Sequence, residues 1–504
     1  MERSFKREVE LLRLGDGQVF QGEGILAVAK GLLQAGVSYV GGYQGSPIAA
    51  LLDVMVDAGD LLDEWGVHFE ACTTESAAAA MLGASINYPL RGAVTWKAIV
   101  GTNVASDPLT YLASAGVQGG ALIVVGEDYG HGASSPQERS HAFAMKSSIW
   151  LLDPRPDLSV IANMTEMAFE LSEASSAPVM MELRIRACHV TGSFKTKNNK
   201  RPAYTPDHPT QPAPFDRDRL SIPPFVHGQE KKKFEERIGA AVDFIHQHKM
   251  NETFAGTRED IGIILQGGLY NTLINALERA GVGDIYGHSE IPLHVLNVTY
   301  PLVDDEIAAF CRGKSHVLMV EESHPAYIEQ AINAILRKHN VDTKIFGKDV
   351  LPMTGEYTLE VLLAGLAQFL EGAVPSGVDL ARAGGAVRTV KDSKKAAAAA
   401  LGGPVPPRPG AFCIGCPERP VFSAMKLVQR ELGAVHISAD IGCHTMGASE
   451  PFGFGNSVLG YGMGLASSAG VVASQGKRVV SVMGDGGFWH SGLPSGVAGS
   501  VFNE

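Results

Sequence analysis

The residues with chemical potential in this sequence fall into three short segments. In Val482-Met483-Gly484-Asp485-Gly486-Gly487-Phe488 an apolar run ends in Gly-Asp-Gly. Glycines let a backbone turn and approach a phosphate closely, and Asp485 offers a hard oxygen ligand for Mg2+. Taken alone, Gly-Asp-Gly is more often an ordinary turn after a strand. Its place at the carboxyl end of an expected parallel strand, where open α/β sheets bind ligands, favours the functional reading. In Cys413-Ile-Gly-Cys416, with Cys443 further on, three thiolates could share an iron–sulfur cluster whose fourth ligand lies elsewhere. The alternatives are structural zinc with His444, disfavoured because neighbouring side chains diverge, and three merely buried thiols. In Thr73-Thr74-Glu75-Ser76-Ala77-Ala78-Ala79-Ala80 a carboxylate falls in the first turn of an apolar helix. A threonine cap and the helix dipole account for it without any function. The functional alternative is a buried glutamate that shares a proton with a heterocycle nitrogen.

These segments need α/β scaffolds to position them. Between residues 15 and 190 the runs Val37–Tyr43, Gly92–Trp96, Ala121–Gly126 and Pro178–Leu183 are compact and apolar, as strands buried on both faces must be. Ala-rich helical stretches such as Glu75–Ile86 separate them, which predicts a parallel, helix-covered sheet. Residues 193–234, basic and then rich in Pro, are expected to be a linker. A second α/β unit is expected over 235–372, with strands at Ile261–Leu265, His294–Asn297 and His316–Glu321 and a helix at Tyr327–His339. A second linker is expected over 373–410, and a third α/β unit over 411–504 with strands at Val435–Ala439 and Arg478–Met483.

The 504 residues carry a formal net charge of -12, which argues against a general nucleic-acid or anionic-membrane surface. No charge-free apolar run reaches the roughly 18 residues a membrane span needs. The charged amino terminus lacks the apolar stretch of a signal peptide. Six cysteines in a chain of this size are too sparse for a secreted disulfide scaffold, so a reducing cytoplasm is expected.

Taken in chain order, the segments resemble a known family. Tyr43-Gln-Gly-Ser46-Pro47, Thr74-Glu75-Ser-Ala-Ala, Val94-Thr-Trp-Lys97, Asn103-Val-Ala-Ser-Asp107-Pro108, Val320-Glu321-Glu322, Gly347-Lys-Asp-Val-Leu-Pro352, Cys413-Ile-Gly-Cys416-Pro, Asp440-Ile-Gly-Cys443 and Gly484-Asp485-Gly-Gly-Phe-Trp-His490 resemble the large subunit of indolepyruvate:ferredoxin oxidoreductase. That subunit is the thiamine diphosphate-binding member of a 2-oxoacid:ferredoxin oxidoreductase. The resemblance implies a multidomain α/β fold. A pyrimidine-binding domain (1–192) and a diphosphate-binding domain (411–504) would flank a Rossmann-like domain resembling the transketolase C-terminal domain. It also implies that Glu75 activates the aminopyrimidine, that Asp485 binds Mg2+, and that Gly442, Gly484, Gly486 and His490 line the cofactor site. Ser46 stands where the family usually has Thr and retains the hydroxyl that contacts substrate. Lys97, Asn103 and Arg139 are further substrate candidates, and Cys413, Cys416 and Cys443 match ligands of a [4Fe–4S] cluster.

The implied reaction is oxidative decarboxylation of a 2-oxoacid, with coenzyme A taking the acyl group and ferredoxin the electrons. A smaller partner subunit in a hetero-oligomer is implied too. The sequence departs from the family in supplying neither the later Asn of the Mg2+ motif nor a fourth Cys. The last domain is therefore expected to be completed beyond Glu504 or by another polypeptide. A non-redox thiamine-dependent decarboxylase and a non-catalytic assembly subunit remain the alternatives.

Overall fold

In the computed structural model, residues 4–130, 136–373, 379–405, 410–475 and 478–503 are described. The chain divides into two compact units, residues 1–397 and 398–504. The amino-terminal part of the first unit carries strands β1 (Val19–Glu23), β2 (Tyr39–Gly42), β3 (His68–Ala71), β4 (Gly92–Lys97), β5 (Ala121–Glu127), β6 (Trp150–Leu152), β7 (Val179–Arg184) and β8 (Thr191–Lys195). β1 and β8 form an antiparallel ribbon, and the other six lie parallel in one sheet. β2, β4, β5 and β7 are buried along their whole length, which is why they are mostly apolar, with Thr95, Lys97, Glu127, Glu182 and Arg184 as buried polar exceptions. Successive residues serve opposite faces: Leu122 and Val124 enter one core, Ile123 and Val125 the other.

The later part of the same unit carries β9 (Glu252–Phe254), β10 (Ile261–Gln266), β11 (Leu293–Leu296), β12 (Val298–Tyr300), β13 (His316–Val320) and β14 (Lys344–Phe346). Its five-stranded sheet has the order β14-β13-β10-β11-β9, parallel except for β9. β12 leaves this sheet and pairs antiparallel with β6, so the first sheet has seven strands in the order β12-β6-β7-β5-β4-β2-β3. Asn297 secures the crossing. Wholly buried, it accepts from the backbone N of Arg155 at 2.9 Å and donates to the Met250 carbonyl at 3.0 Å. Ala241 and Ile245, expected to open the middle unit, are part of the first core instead.

Both expected linkers contain regular structure. Within 193–234 a helix runs over Phe225–Lys232. Buried Gln229 pins it, donating to the Asp218 carbonyl and accepting from Ser114 and Ser221 at 2.8–2.9 Å. Within 373–410 a helix runs over Leu380–Ala400. Leu380, Ala383, Val387 and Val390 recur at helical spacing and pack on the core of the five-stranded sheet, a stripe hidden by the surrounding Ala and Lys. Pro406, Pro407 and Pro409 lie outside the described residues.

The second unit carries β15 (Ile437–Ala439), β16 (Ser457–Val458) and β17 (Val480–Val482), parallel in the order β16-β15-β17. Helices Glu418–Leu432 and Gly464–Gln475 belong to it. The architecture is α/β with several mainly parallel sheets, as expected. Among the described residues no helix is long and apolar enough to cross a membrane.

Candidate functional site

In the first unit the carboxyl ends of the parallel strands form one edge. β3 lies on one side of β2 and β4 on the other, so the winding direction reverses between β2 and β4. Such a reversal opens a crevice at the strand ends. Ser46 follows β2 there and is exposed, while Lys97 is the buried last residue of β4. The Lys97 ammonium donates to the Ser46 carbonyl and to Asp128 just after β5, each at 2.8 Å. With two of its three hydrogens committed, Lys97 fixes the Ser46 loop more than it offers a free charge. The loop passes so close that a Cβ at Gly45 would stand 2.6 Å from the Lys97 Cβ, so only glycine fits.

Glu75 opens the helix Glu75–Met81 and is 3% exposed. Thr74 caps that helix by accepting from the Ala77 N–H at 3.1 Å. The helix packs on β2 and β4, and Ser76 ties it to the helix Ala98–Val104 by donating to the Val104 carbonyl at 2.6 Å.

Asn103 and Arg139 line a pocket of about 340 Å³ with Glu138, Lys146, His324 and Tyr327. Exposed Asn103 donates to Glu138 at 3.2 Å. Arg139, expected to meet substrate, is buried and spends one nitrogen on Glu321 at 2.5 Å and on the Pro325 carbonyl at 2.6 Å. Its ion pair ties the two sheets of the unit together.

Sequence reasoning missed a neighbouring buried cluster. Arg184, at the end of β7, pairs with Asp153 at 2.5 Å, Glu322 at 2.7 Å and Glu182 at 3.4 Å. Glu127 accepts from the Ser140 N–H at 2.7 Å and from the Tyr129 hydroxyl. The cluster borders a pocket of about 160 Å³ that Asp128, Arg186 and Glu356 also line. A signal was available: Glu182 and Arg184 interrupt a strand buried on both faces, where charge survives only if paired.

Burial, with the negative charges of Glu127 and Asp153 added, raises the Glu182 pKa well above the ordinary carboxylate range; Arg184 only partly offsets this. The folded chain thus keeps a proton that the unfolded chain releases near pH 4. The resulting stabilisation is present below that pH and is lost as pH rises toward the folded pKa. Glu182→Gln mimics the protonated acid, so it should melt higher than the parent at pH 7–8, on the order of 2 °C. The gap should narrow toward pH 5. Thermal melts across this range check it, and a gap that widens on acidification contradicts it.

In the second unit Asp440 follows β15 and is wholly buried. Its N–H donates to the Val482 carbonyl of β17 at 3.2 Å, and one carboxylate oxygen accepts from the Gly462 N–H at 2.7 Å. The other oxygen meets His444 Nε2, which also lies 3.1 Å from the Asp440 carbonyl. Burial works against the charged imidazole, but the bonds to Asp440 prevail and raise the His444 pKa. Asp485 is exposed at the turn that follows β17, between Gly484 and Gly486. Gly487 passes so near Asp440 that a Cβ would stand 2.1 Å from its carboxylate. His490 is buried edge-to-face against Tyr461 and bonds Ser491 Oγ at 2.6 Å. Gly442, Gly484, Asp485 and Gly486 thus flank the carboxyl ends of two adjacent parallel strands, a donor and turn chemistry that suits a diphosphate.

The thiols are arranged less favourably. Cys413 and Cys416 share a tight turn, with the Cys416 N–H donating to the Cys413 carbonyl at 3.2 Å. Cys413 and Cys443 are exposed, and Cys416 packs against the Phe422 core. Among the described residues no three His, Cys, Asp or Glu side chains are grouped to hold a metal ion. The expected convergence of Cys413, Cys416 and Cys443 therefore does not yield a ready ligand set. The turn of Cys413 faces solvent, whereas Cys443 is carried by a different turn at the end of β15.

Residues 440–498 match the family model of the thiamine pyrophosphate enzyme C-terminal TPP binding domain. The chain is 27% identical over 479 residues to the indolepyruvate oxidoreductase subunit IorA of Methanothermobacter thermautotrophicus, covering 93% of this chain and 71% of that protein. It is 27% identical over 506 residues to the subunit of the same name from Thermococcus kodakarensis, covering 95% of this chain and 72% of that one. A solved structure of 2-oxoglutarate:ferredoxin oxidoreductase from Magnetococcus marinus, with 2-oxoglutarate, coenzyme A and succinyl-CoA bound, superposes with a TM-score of 0.52 at 18% identity. That match covers 72% of this chain and 66% of the other, and is a likeness of fold.

Proposed function

We propose that this chain, a homologue of the indolepyruvate oxidoreductase subunits IorA along nearly its whole length, is the thiamine diphosphate-binding subunit of a 2-oxoacid:ferredoxin oxidoreductase. One observation carries the reading. A capped helix that buries Glu75 and a Gly-Asp-Gly turn at a parallel strand end, within the segment matching the TPP binding domain, occur in one chain.

Thiamine diphosphate, when bound, supplies the carbon nucleophile and electron sink for decarboxylating a 2-oxoacid. The Glu75 carboxyl holds the proton exchanged with an aminopyrimidine nitrogen. Asp485 would hold Mg2+ at the diphosphate, Gly484 and Gly486 would let the backbone approach it, and Gly442 and His490 line the same site. Lys97 holds the Ser46 loop in place, and the Ser46 hydroxyl meets the carboxylate or carbonyl of the substrate. The substrate class is an arylpyruvate such as indolepyruvate. The acyl group leaves on coenzyme A and the electrons on ferredoxin, within a cytoplasmic hetero-oligomer with a smaller subunit. Among the described residues the thiols of Cys413, Cys416 and Cys443 are not grouped as cluster ligands.

The test is an anaerobic assay of the chain co-expressed with its smaller subunit, given indolepyruvate, coenzyme A, thiamine diphosphate and Mg2+. Acyl-CoA and reduced ferredoxin should appear together. Release of CO2 and aldehyde with no acceptor reduced would mark a non-redox decarboxylase. Failure of the folded protein to bind thiamine diphosphate would leave only an assembly role.

A further inference from the structure

The reading of β15 and β17 as diphosphate-binding strands leaves one side chain between them without a role. His444 is 5% exposed, and its orientation is fixed from behind. Nε2 is held by the carbonyl and carboxylate of Asp440, whose other oxygen is itself held by the Gly462 N–H. Nδ1 has no hydrogen-bond partner among the described residues. The Nδ1–Cε1 edge faces the turns that end both strands. A Cβ at Gly442 would stand 2.6 Å from Cε1 and 2.9 Å from Nδ1, and one at Gly484 would stand 3.7 Å from both atoms.

Gly442 is therefore a glycine for a specific reason. Its φ of 171° is extended backbone open to any residue, so no conformational demand excludes a side chain. What excludes one is the His444 ring, which fills the space a Cβ needs. We infer that the His444 imidazole, anchored by Asp440 and admitted by Gly442, is a positioning residue that spaces the Gly442 and Gly484 turns for the diphosphate. The inference rests on the thiamine diphosphate reading and concerns binding rather than turnover.

A double-mutant cycle read by cofactor affinity tests it. Thiamine diphosphate binding, with Mg2+ present, is measured by titration calorimetry on the full chain co-expressed with its smaller subunit, alongside thermal melts. His444→Ala should weaken binding by roughly tenfold or more, the scale of a supporting partner around a ligand site. His444→Gln, whose amide nitrogen can reach Asp440, should recover part of the loss. Gly442→Ala should weaken binding comparably by displacing the ring. In the His444→Ala background, where a Cβ has room, Gly442→Ala should cost little more. Binding by His444→Ala within about twofold of the parent, or fully additive losses from the two substitutions, overturns the proposal. Loss of fold in His444→Ala leaves the decision to His444→Gln and Gly442→Ala: parental affinity in Gly442→Ala overturns it. Failure of the folded parent itself to bind sinks the thiamine diphosphate reading, and the inference with it.

Discussion

Glu75→Gln should cut turnover of the complete oxidoreductase by roughly 10²–10⁴-fold, the usual contribution of a positioned general acid–base group. Cofactor affinity and melting temperature should stay close to the parent values. The substitution keeps size and hydrogen-bonding shape at a position 3% exposed, so no cavity forms. Thr74 still caps the helix through the Ala77 N–H. The lost interaction of a carboxylate with the helix dipole is worth only about 0.3–1 kcal/mol. What the amide lacks is an exchangeable carboxyl proton. Steady-state rates with indolepyruvate, together with a thiamine diphosphate titration of the same preparation, separate the two effects. Near-parental turnover would return Glu75 to an ordinary helix-start residue.

Arg184→Met should be the most damaging single change to the first unit. Its guanidinium, 3% exposed, is bonded to Asp153 and Glu322 and lies 3.4 Å from Glu182. Asp153 also accepts from the Gly268 N–H at 3.0 Å, and Glu322 from the Tyr357 N–H at 2.5 Å. The cluster thus joins the seven-stranded sheet to elements of the five-stranded one. Removing the cation leaves several buried acids uncompensated, a loss of about 3–5 kcal/mol. Arg184→Lys should recover only part, because a single ammonium cannot span the same acceptors as a planar guanidinium. The urea midpoint of the first unit, followed by a probe in its core, is the measurement. A loss below about 1 kcal/mol would mean that water reaches the cluster and screens it.

Local sequence carried much of the architecture. Gly92–Trp96, Ala121–Gly126 and Pro178–Leu183 are apolar at every position but Thr95 and Glu182 because both faces of β4, β5 and β7 are buried, and that pattern is visible without a structure. The Gly484-Asp485-Gly486 turn and the start of the Glu75 helix were legible for a similar reason, since strand ends and helix caps are written in adjacent residues. Short or partly exposed elements were not. His68–Ala71 and Trp150–Leu152 are too brief to show a period, and the helix Leu380–Ala400 was obscured by its Ala run.

Other features depended on residues distant in sequence, and there only the tertiary structure could decide. β12 joins the first sheet because Asn297 bonds to backbone groups at Arg155 and Met250, partners no local pattern announces. Arg139 pairs with Glu321 across 182 residues, a partner that its own segment does not announce. Cys413, Cys416 and Cys443 look like a ligand set by type and order, but ligation needs sulfurs in one place, and the separate turns that carry them do not group them. Residue type and short-range period thus determined which strands form and which side chains can do chemistry. Convergence of those side chains, and the neutralisation of charges buried among them, depended on contacts between elements far apart in the chain. Those contacts are fixed by the packing of whole sheets and helices, which no short window of sequence contains.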